Sequence, residues 1–200
     1  MRYYLTFLLF LSHFISSFGQ FTDDFTDGNF TALPPWIGNT ADFSVTSGEL
    51  HLTAPAVSGK KYLATASQAM NNAVWEFKVR MTFGTSSSNF SKIYLASSSS
   101  NLSGSLNGYF IMIGGRDDEV SLYSQTGTSI TKIIDGRNTT VGGSAVDAKV
   151  RVTRTNSGLW EVFSDTSASV ASFISEGTVT DNSHVQSLFA GVECNFTSTR

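Results

Sequence analysis

Cysteine is almost missing from this chain. Its 200 residues include one, Cys194, so no intramolecular disulfide is possible, and a domain of this size buries most of its apolar surface without staples. Cys194 alternates in phase with Leu188, Ala190, Val192 and Phe196, which reads as a structural thiol on the apolar face of a strand. Charge is scarce too: 14 % of residues are Asp, Glu, Lys or Arg, and the formal net charge is −3. Lysine and arginine are scattered singly. Nucleic acid is excluded as a partner, because binding it takes clustered cations to neutralise phosphates. Beyond residue 19 the histidines are His51 and His184, with no Asp or Cys at a ligand spacing, so a tetrahedral zinc site lacks its ligand set. There is no G-x-S-x-G elbow and no phosphate-cradling glycine loop.

The first segment is an exception to this pattern. Met1-Arg2-Tyr3-Tyr4 carries one positive charge, residues 5–18 are largely apolar, and Ser17-Phe18-Gly19 places small residues where a signal peptidase reads. Residues 1–19 read as a secretory signal peptide, with Gln20 starting the mature chain. The apolar run is short of the roughly twenty residues of a membrane span and is broken by Ser12 and His13. The expectation is export to the medium or a bacterial cell surface, with no membrane span once the leader is removed. Loss of Arg2 then makes the chain more acidic.

The rest alternates. Trp75, Phe77, Val79, Met81 and Phe83 share one side of an extended strand, and Glu76, Lys78, Arg80 and Thr82 share the other, the period-2 signature of a half-buried strand. Lys92–Ala96 is a second strand, and Tyr109–Ile113 is apolar on both faces, as a strand covered on both sides should be. Gly114-Gly115-Arg116-Asp117-Asp118 turns the chain into a strand around Val120 and Leu122. Phe21–Phe25 is expected as a short first strand. Phe43–Val45 and Leu50–Leu52 flank a Ser47-Gly48 hairpin. Tyr62–Ala66, Ile130–Ile134, Lys149–Thr155, Leu159–Ser164, Phe173-Ile174 and Ser187–Phe196 complete about a dozen strands. No helical stripe of useful length follows the leader. The fold class is all-β, a two-sheet antiparallel β-sandwich of jelly-roll type, spanning residues 20–200 as one domain.

Chemistry is mostly absent. The one i, i+2 carboxylate pair, Asp117 and Glu119, sits in a solvated turn that would not raise a pKa as a general acid requires, so no catalytic residue is assigned. Two acidic clusters offer oxygen ligands suited to calcium: Asp23, Asp24 and Asp27 near the mature start, and Asp117, Asp118 and Glu119 in the turn. Neither matches a calcium-loop motif, and ordinary turn acids are the plainer reading. Sugar rings stack on aromatic faces, which makes Trp36, in a proline-rich loop, and Tyr94, Tyr109 and Tyr123, on strands, candidates for ligand binding; packing is the competing role for each. Trp75 and Trp160 read as core. Asn-x-Ser/Thr sequons at Asn29, Asn89, Asn101, Asn138 and Asn195 are no more than a Ser/Thr-rich chain yields by chance.

DDFTDGNF, WIGNTADFSV, SGELHLTAP, WEFKVRM, SSSNFSKIYLAS, LNGYFIMIGG, DEVSLYSQTG, VRVTRTNSGLWEVFSD and GVECNFTSTR follow in this order. Together they resemble the N-terminal domain of large secreted Bacteroidetes proteins of the concanavalin A-like lectin/glucanase superfamily, near laminin-G-like modules. The resemblance implies continuation into lamin-tail or other β-sandwich modules and a type IX secretion sorting tail. It also implies a further strand after Thr199-Arg200, so the chain is expected to be a fragment or first domain. The related glucanases carry a Glu-x-Asp-x-x-Glu motif. Here the nearest strand reads Glu76-Phe77-Lys78-Val79-Arg80, with Lys78 where a carboxylate is needed, so glucanase activity does not transfer. The functional expectation is a non-catalytic module binding polysaccharide or glycoprotein. A structural spacer is the alternative, and a hydrolase or lyase ranks third.

Overall fold

In a computed structural model of the chain, the described residues are 21–167 and 172–198. The expected leader, residues 1–19, and the Thr199-Arg200 end lie outside them. The alternating segments become strands β1 (Ile37–Gly38), β2 (Phe43–Thr46), β3 (Glu49–Leu52), β4 (Gly59–Ala66), β5 (Ala73–Met81), β6 (Phe90–Ser97) and β7 (Leu106–Gly114). The second half adds β8 (Glu119–Gly127), β9 (Ser129–Ile134), β10 (Val146–Arg154), β11 (Leu159–Asp165), β12 (Ile174–Thr180) and β13 (Phe189–Phe196). Seven of them form a sheet in the order β1-β4-β13-β6-β7-β8-β9, four form a second sheet in the order β12-β11-β10-β5, and β2-β3 is a separate hairpin. Every pairing between these strands is antiparallel. The fold is the expected all-β jelly-roll sandwich.

One sequence expectation needs correction, and one pairing runs against chain order. Phe21–Phe25 is not a strand. Asp23 Oδ1 accepts a hydrogen bond from the Phe25 N–H and Asp24 Oδ1 from the Thr26 N–H, both at 3.0 Å, so side chains take the donors a ladder would use. And β5 does not continue into the sheet of its successors. It pairs with β10, while β6, β7 and β8 are neighbours in the larger sheet. The patterns already differ: β5 alternates strictly between core and charge, whereas β6–β8 are buried on nearly every residue.

Burial between the layers explains the β5 pattern. Phe77 lies opposite Val150 and Trp75 opposite Val152, and this apolar face meets Leu95, Tyr109, Ile111, Ile113, Val120 and Leu122 of the larger sheet. The Trp160 ring, fully buried, stacks on Trp75 at 5.6 Å and leans on Tyr109 at 4.6 Å. On the solvent face of the smaller sheet, charges pair across strands, as in Lys78–Asp147 at 3.1 Å and Arg151–Glu76. The β2-β3 hairpin extends the smaller layer: Arg80 reaches Glu49 at 3.1 Å, and Phe43, Leu50 and Leu52 cover Leu63, Val192 and Cys194. Cys194 thus packs, half buried, in an apolar cluster.

Candidate functional site

One face of the seven-stranded sheet meets the second layer. The other carries no strand layer among the described residues. Cross-strand register lays its side chains out in two rows. Tyr62, Glu193, Lys92, Met112 and Ser121 form one, from β4 across to β8. Ala64, Gly191, Tyr94, Phe110, Tyr123 and Lys132 form the other, from β4 across to β9. The floor is closed: Phe110 is 0 % and Tyr94 1 % exposed. Above it Tyr62, Met112 and Tyr123 are half-buried. Tyr123 lies parallel to Phe110 with centroids 5.1 Å apart, and this pairing fixes its ring as a platform.

Each end of this face has a wall. At one end the loop from Ser98 to Ser105 folds over, with Leu102 buried against Ala64, Tyr94 and Phe110. A hydrogen-bond chain bolts it down: the Tyr94 hydroxyl donates to Gln125 Oε1 at 3.0 Å, and Gln125 Nε2 donates to the Gly104 carbonyl at 3.2 Å. At the other end Lys132 Nζ contacts Glu119, Asp135 Oδ1 at 2.6 Å and Asp117 Oδ2 at 4.0 Å. Burial alone would lower the Lys132 pKa, but hydrogen bonds to Asp135 and Glu119 outweigh it and hold the ammonium above the ordinary lysine value. Lys132 in turn holds Asp135 below the usual carboxylate range. The Tyr123 hydroxyl is pushed up, first by burial, against the opposing influence of Lys132 beside it.

Of the sequence candidates, Tyr123, Asp117 and Glu119 come together here. Asp118 turns away and accepts a hydrogen bond from Thr85 Oγ1. Tyr94 and Tyr109 are corrected. Both are buried, Tyr109 at 0 % exposure in the layer between the sheets, so neither offers a ring face to a ligand. Trp36 is half buried and already occupied: its Nε1 donates to Asp23 Oδ2 at 2.7 Å, and Phe21 and Phe25 pack on its ring at 6.1 and 6.0 Å. Asp24 is spent on Thr26 and Asp27 on Asn29, so these three acids serve separate turns. Among the described residues no group of three or more His, Cys, Asp or Glu is arranged to hold a metal ion. Tyr62, Lys92, Glu193, Lys132 and Asp135 were missed from sequence.

A second ionic feature lies in the floor. Lys92 Nζ sits 3.0 Å from Glu193 Oε1 and 5.0 Å above the Phe110 ring. Glu193 is 1 % exposed, and its carboxylate has no other hydrogen-bond partner. Glu193 also contributes, after burial, to raising the Tyr94 hydroxyl pKa.

This architecture is that of a two-sheet antiparallel β-sandwich of jelly-roll type. The chain is similar in structure to the carbohydrate-binding module CBM66 of Bacillus subtilis, with a TM-score of 0.54 and 9 % identity over 81 % of this chain and 91 % of that one. It is also similar to the exoplasmic/lumenal domain of VIP36 in its calcium- and mannose-bound form, with a TM-score of 0.58 and 13 % identity over 82 % and 77 % of the two chains. Identities this low establish the fold alone. No protein-family model matches the sequence, and no curated protein matches it.

Proposed function

We propose that this chain is a secreted, non-catalytic carbohydrate-binding module within a larger protein, gripping a glycan on the open face of its seven-stranded sheet. The observation that carries the reading is the platform: Tyr62, Met112 and Tyr123 stand half-buried on a closed aromatic floor, with a charged rim at Lys132. Sugar rings stack on such aromatics while their hydroxyls pair with the flanking charges. The folds it resembles support this reading, since one is a carbohydrate-binding module and another is bound to mannose. The calcium in the latter makes calcium a cofactor worth testing here.

Among the described residues, this face offers no pair of buried carboxylates at hydrolytic spacing. Its two buried carboxylates, Glu193 on β13 and Glu119 on β8, lie three strand spacings apart, about 14 Å. Acid and nucleophile or base in a glycosidase stand about 5 to 9.5 Å apart. Glu193 is also committed to Lys92.

The test is calorimetric titration of the mature chain against a polysaccharide panel. One glycan class should bind, and Tyr123→Ala should weaken it about tenfold, the loss of roughly 1.4 kcal/mol of stacking. A folded protein that binds none of the panel would overturn the reading and leave the spacer role.

A further inference from the structure

The layer between the sheets is sealed along most of its width and open along one line. Leu63, Val192, Ile93, Ile111 and Leu122 stand opposite one another in a single cross-strand row on the inner face of the larger sheet. Leu63, Ile111 and Leu122 are 0 % exposed, yet Val192 and Ile93, in the middle of the row, are only half-buried. Their strands, β13 and β6, each have a neighbour on both sides, so the opening lies above them and not at a sheet edge. Above this part of the sheet the smaller layer changes from β5 to the β2-β3 hairpin. β5 is bonded along one edge to β10, and β3 along one edge to β2. Among the described residues the other edge of each pairs with no strand. A side-chain contact spans the seam: Arg80 reaches Glu49 at 3.1 Å. Phe77 and Val79 on β5 and Leu50 and Leu52 on β3 line it, all half-buried.

We infer that this seam is a docking cleft for one extended strand of another polypeptide, inserted between β5 and β3. The two walls say what fits. Each is a row of backbone N–H and C=O groups with no partner strand, and such edges are templates for strand addition. A compact apolar ligand would cover Val192 and Ile93 but leave both edges unbonded, whereas a strand satisfies the edges and the floor together. Successive side chains of a strand point to opposite faces. Alternate residues of the incoming strand are therefore apolar and rest on Val192 and Ile93. The others are polar and emerge among the exposed side chains of Lys78, Arg80 and His51. β3 spans only Glu49–Leu52, so a short run of the strand is bonded on both sides and β5 carries the rest. The cleft lies in the opposite layer from the proposed glycan platform and does not depend on it.

One test needs no ligand. Val150, under the sealed part of the layer, is 0 % exposed, and Val150→Phe should lower Tm by about 6 °C through overpacking. Val192→Phe puts the same ring into the open part and should cost less than half as much. A loss in Val192→Phe above half that of Val150→Phe, or failure of Val192→Phe to fold, overturns the proposal. The other test titrates a short lysine-capped peptide of alternating valine and threonine, read by fluorescence anisotropy. Wild type should bind it with a Kd below about 1 mM, and Val192→Phe should bind it about tenfold more weakly or worse. The same peptide N-methylated at alternate amides keeps its side chains but loses main-chain donors, and its affinity should also fall about tenfold. Wild type that leaves the peptide unbound at about 1 mM, or that binds the N-methylated form equally well, overturns the proposal. So does a wild-type dimer in sedimentation that Val192→Phe returns to monomer, since the occupant would then be a second copy of this chain.

Discussion

Replacing Tyr109 by Phe isolates one hydroxyl. Its ring sits in the core against Trp160 at 4.6 Å and the His184 ring at 5.4 Å, and Phe keeps both contacts and leaves no cavity. The hydroxyl donates to Asp181 Oδ1 and accepts from the His184 N–H at 3.1 Å, tying the segment after β12 to the sheet. A hydrogen bond to a charged acceptor contributes about 1.5–3 kcal/mol. Asp181 is only partly buried, and solvent screening sets the expected loss near the lower half of that range, about 2 kcal/mol. For a domain of this length the corresponding fall in Tm is about 6 °C.

The pH dependence adds a sign. Burial would raise the Asp181 pKa, but hydrogen bonds from Tyr109 and Ser183 outweigh it and hold the carboxyl below its ordinary value. A depressed carboxylate contributes stability that is present above its unfolded pKa, about 4, and is lost as pH falls through its folded value. The Tyr109 hydroxyl is shifted up, by burial first and then by Asp181, so its contribution is present below its unfolded pKa of about 10 and is lost as pH rises through the folded value. Urea unfolding of wild type and Tyr109→Phe should therefore show a constant gap from about pH 5 to 9 that narrows below pH 4. A gap under about 0.5 kcal/mol at pH 7, or one that persists unchanged to pH 2, would refute the reasoning.

Other expectations concern the sheet itself. Lys92→Met strands the Glu193 carboxylate and should cost about 3–5 kcal/mol by denaturant titration, most of it recovered in Lys92→Met/Glu193→Leu, where no charge is left buried. Gly191→Ala should cost about 3 kcal/mol, because a Cβ there would stand 2.2 Å from the Leu63 carbonyl oxygen and 2.9 Å from Ala64 Cα. Backbone of a central strand cannot move aside as the tip of Leu102 can. A Gly191→Ala variant with unchanged Tm would show that the sheet yields more easily than its packing suggests.

The sandwich was legible because period-2 alternation survives without any knowledge of partners. Which sheet a strand joins was not, since β5 and β6 are consecutive in sequence yet separated by a layer. The tyrosines show the same limit on a finer scale. Tyr109 is in phase with Ile111 and Ile113, which face the second layer, and Tyr123 is out of phase with Val120 and Leu122. That parity was available in the sequence and distinguishes the buried ring from the open one. Lys132 and Asp135 left no such trace, because they meet Asp117 and Glu119 only through the β8-β9 pairing. Tyr62 joins the platform through β13, a strand more than a hundred residues later, and no local pattern announces a neighbour so distant.

The Lys92–Glu193 contact also acts on the alternatives the chain must avoid. Sliding β13 by one residue along β4 and β6 would turn every one of its side chains to the opposite face. Glu193 would then point into the apolar layer beside Ile93 and Leu63, the present partners of Val192, while Val192 and Cys194 would face outward and Lys92 would lose its counter-ion. A strand made only of alternating Val, Ala and Cys could slide at modest cost. With one carboxylate in its middle, β13 docks in a single register, and the larger sheet is locked when β13 finds the lysine.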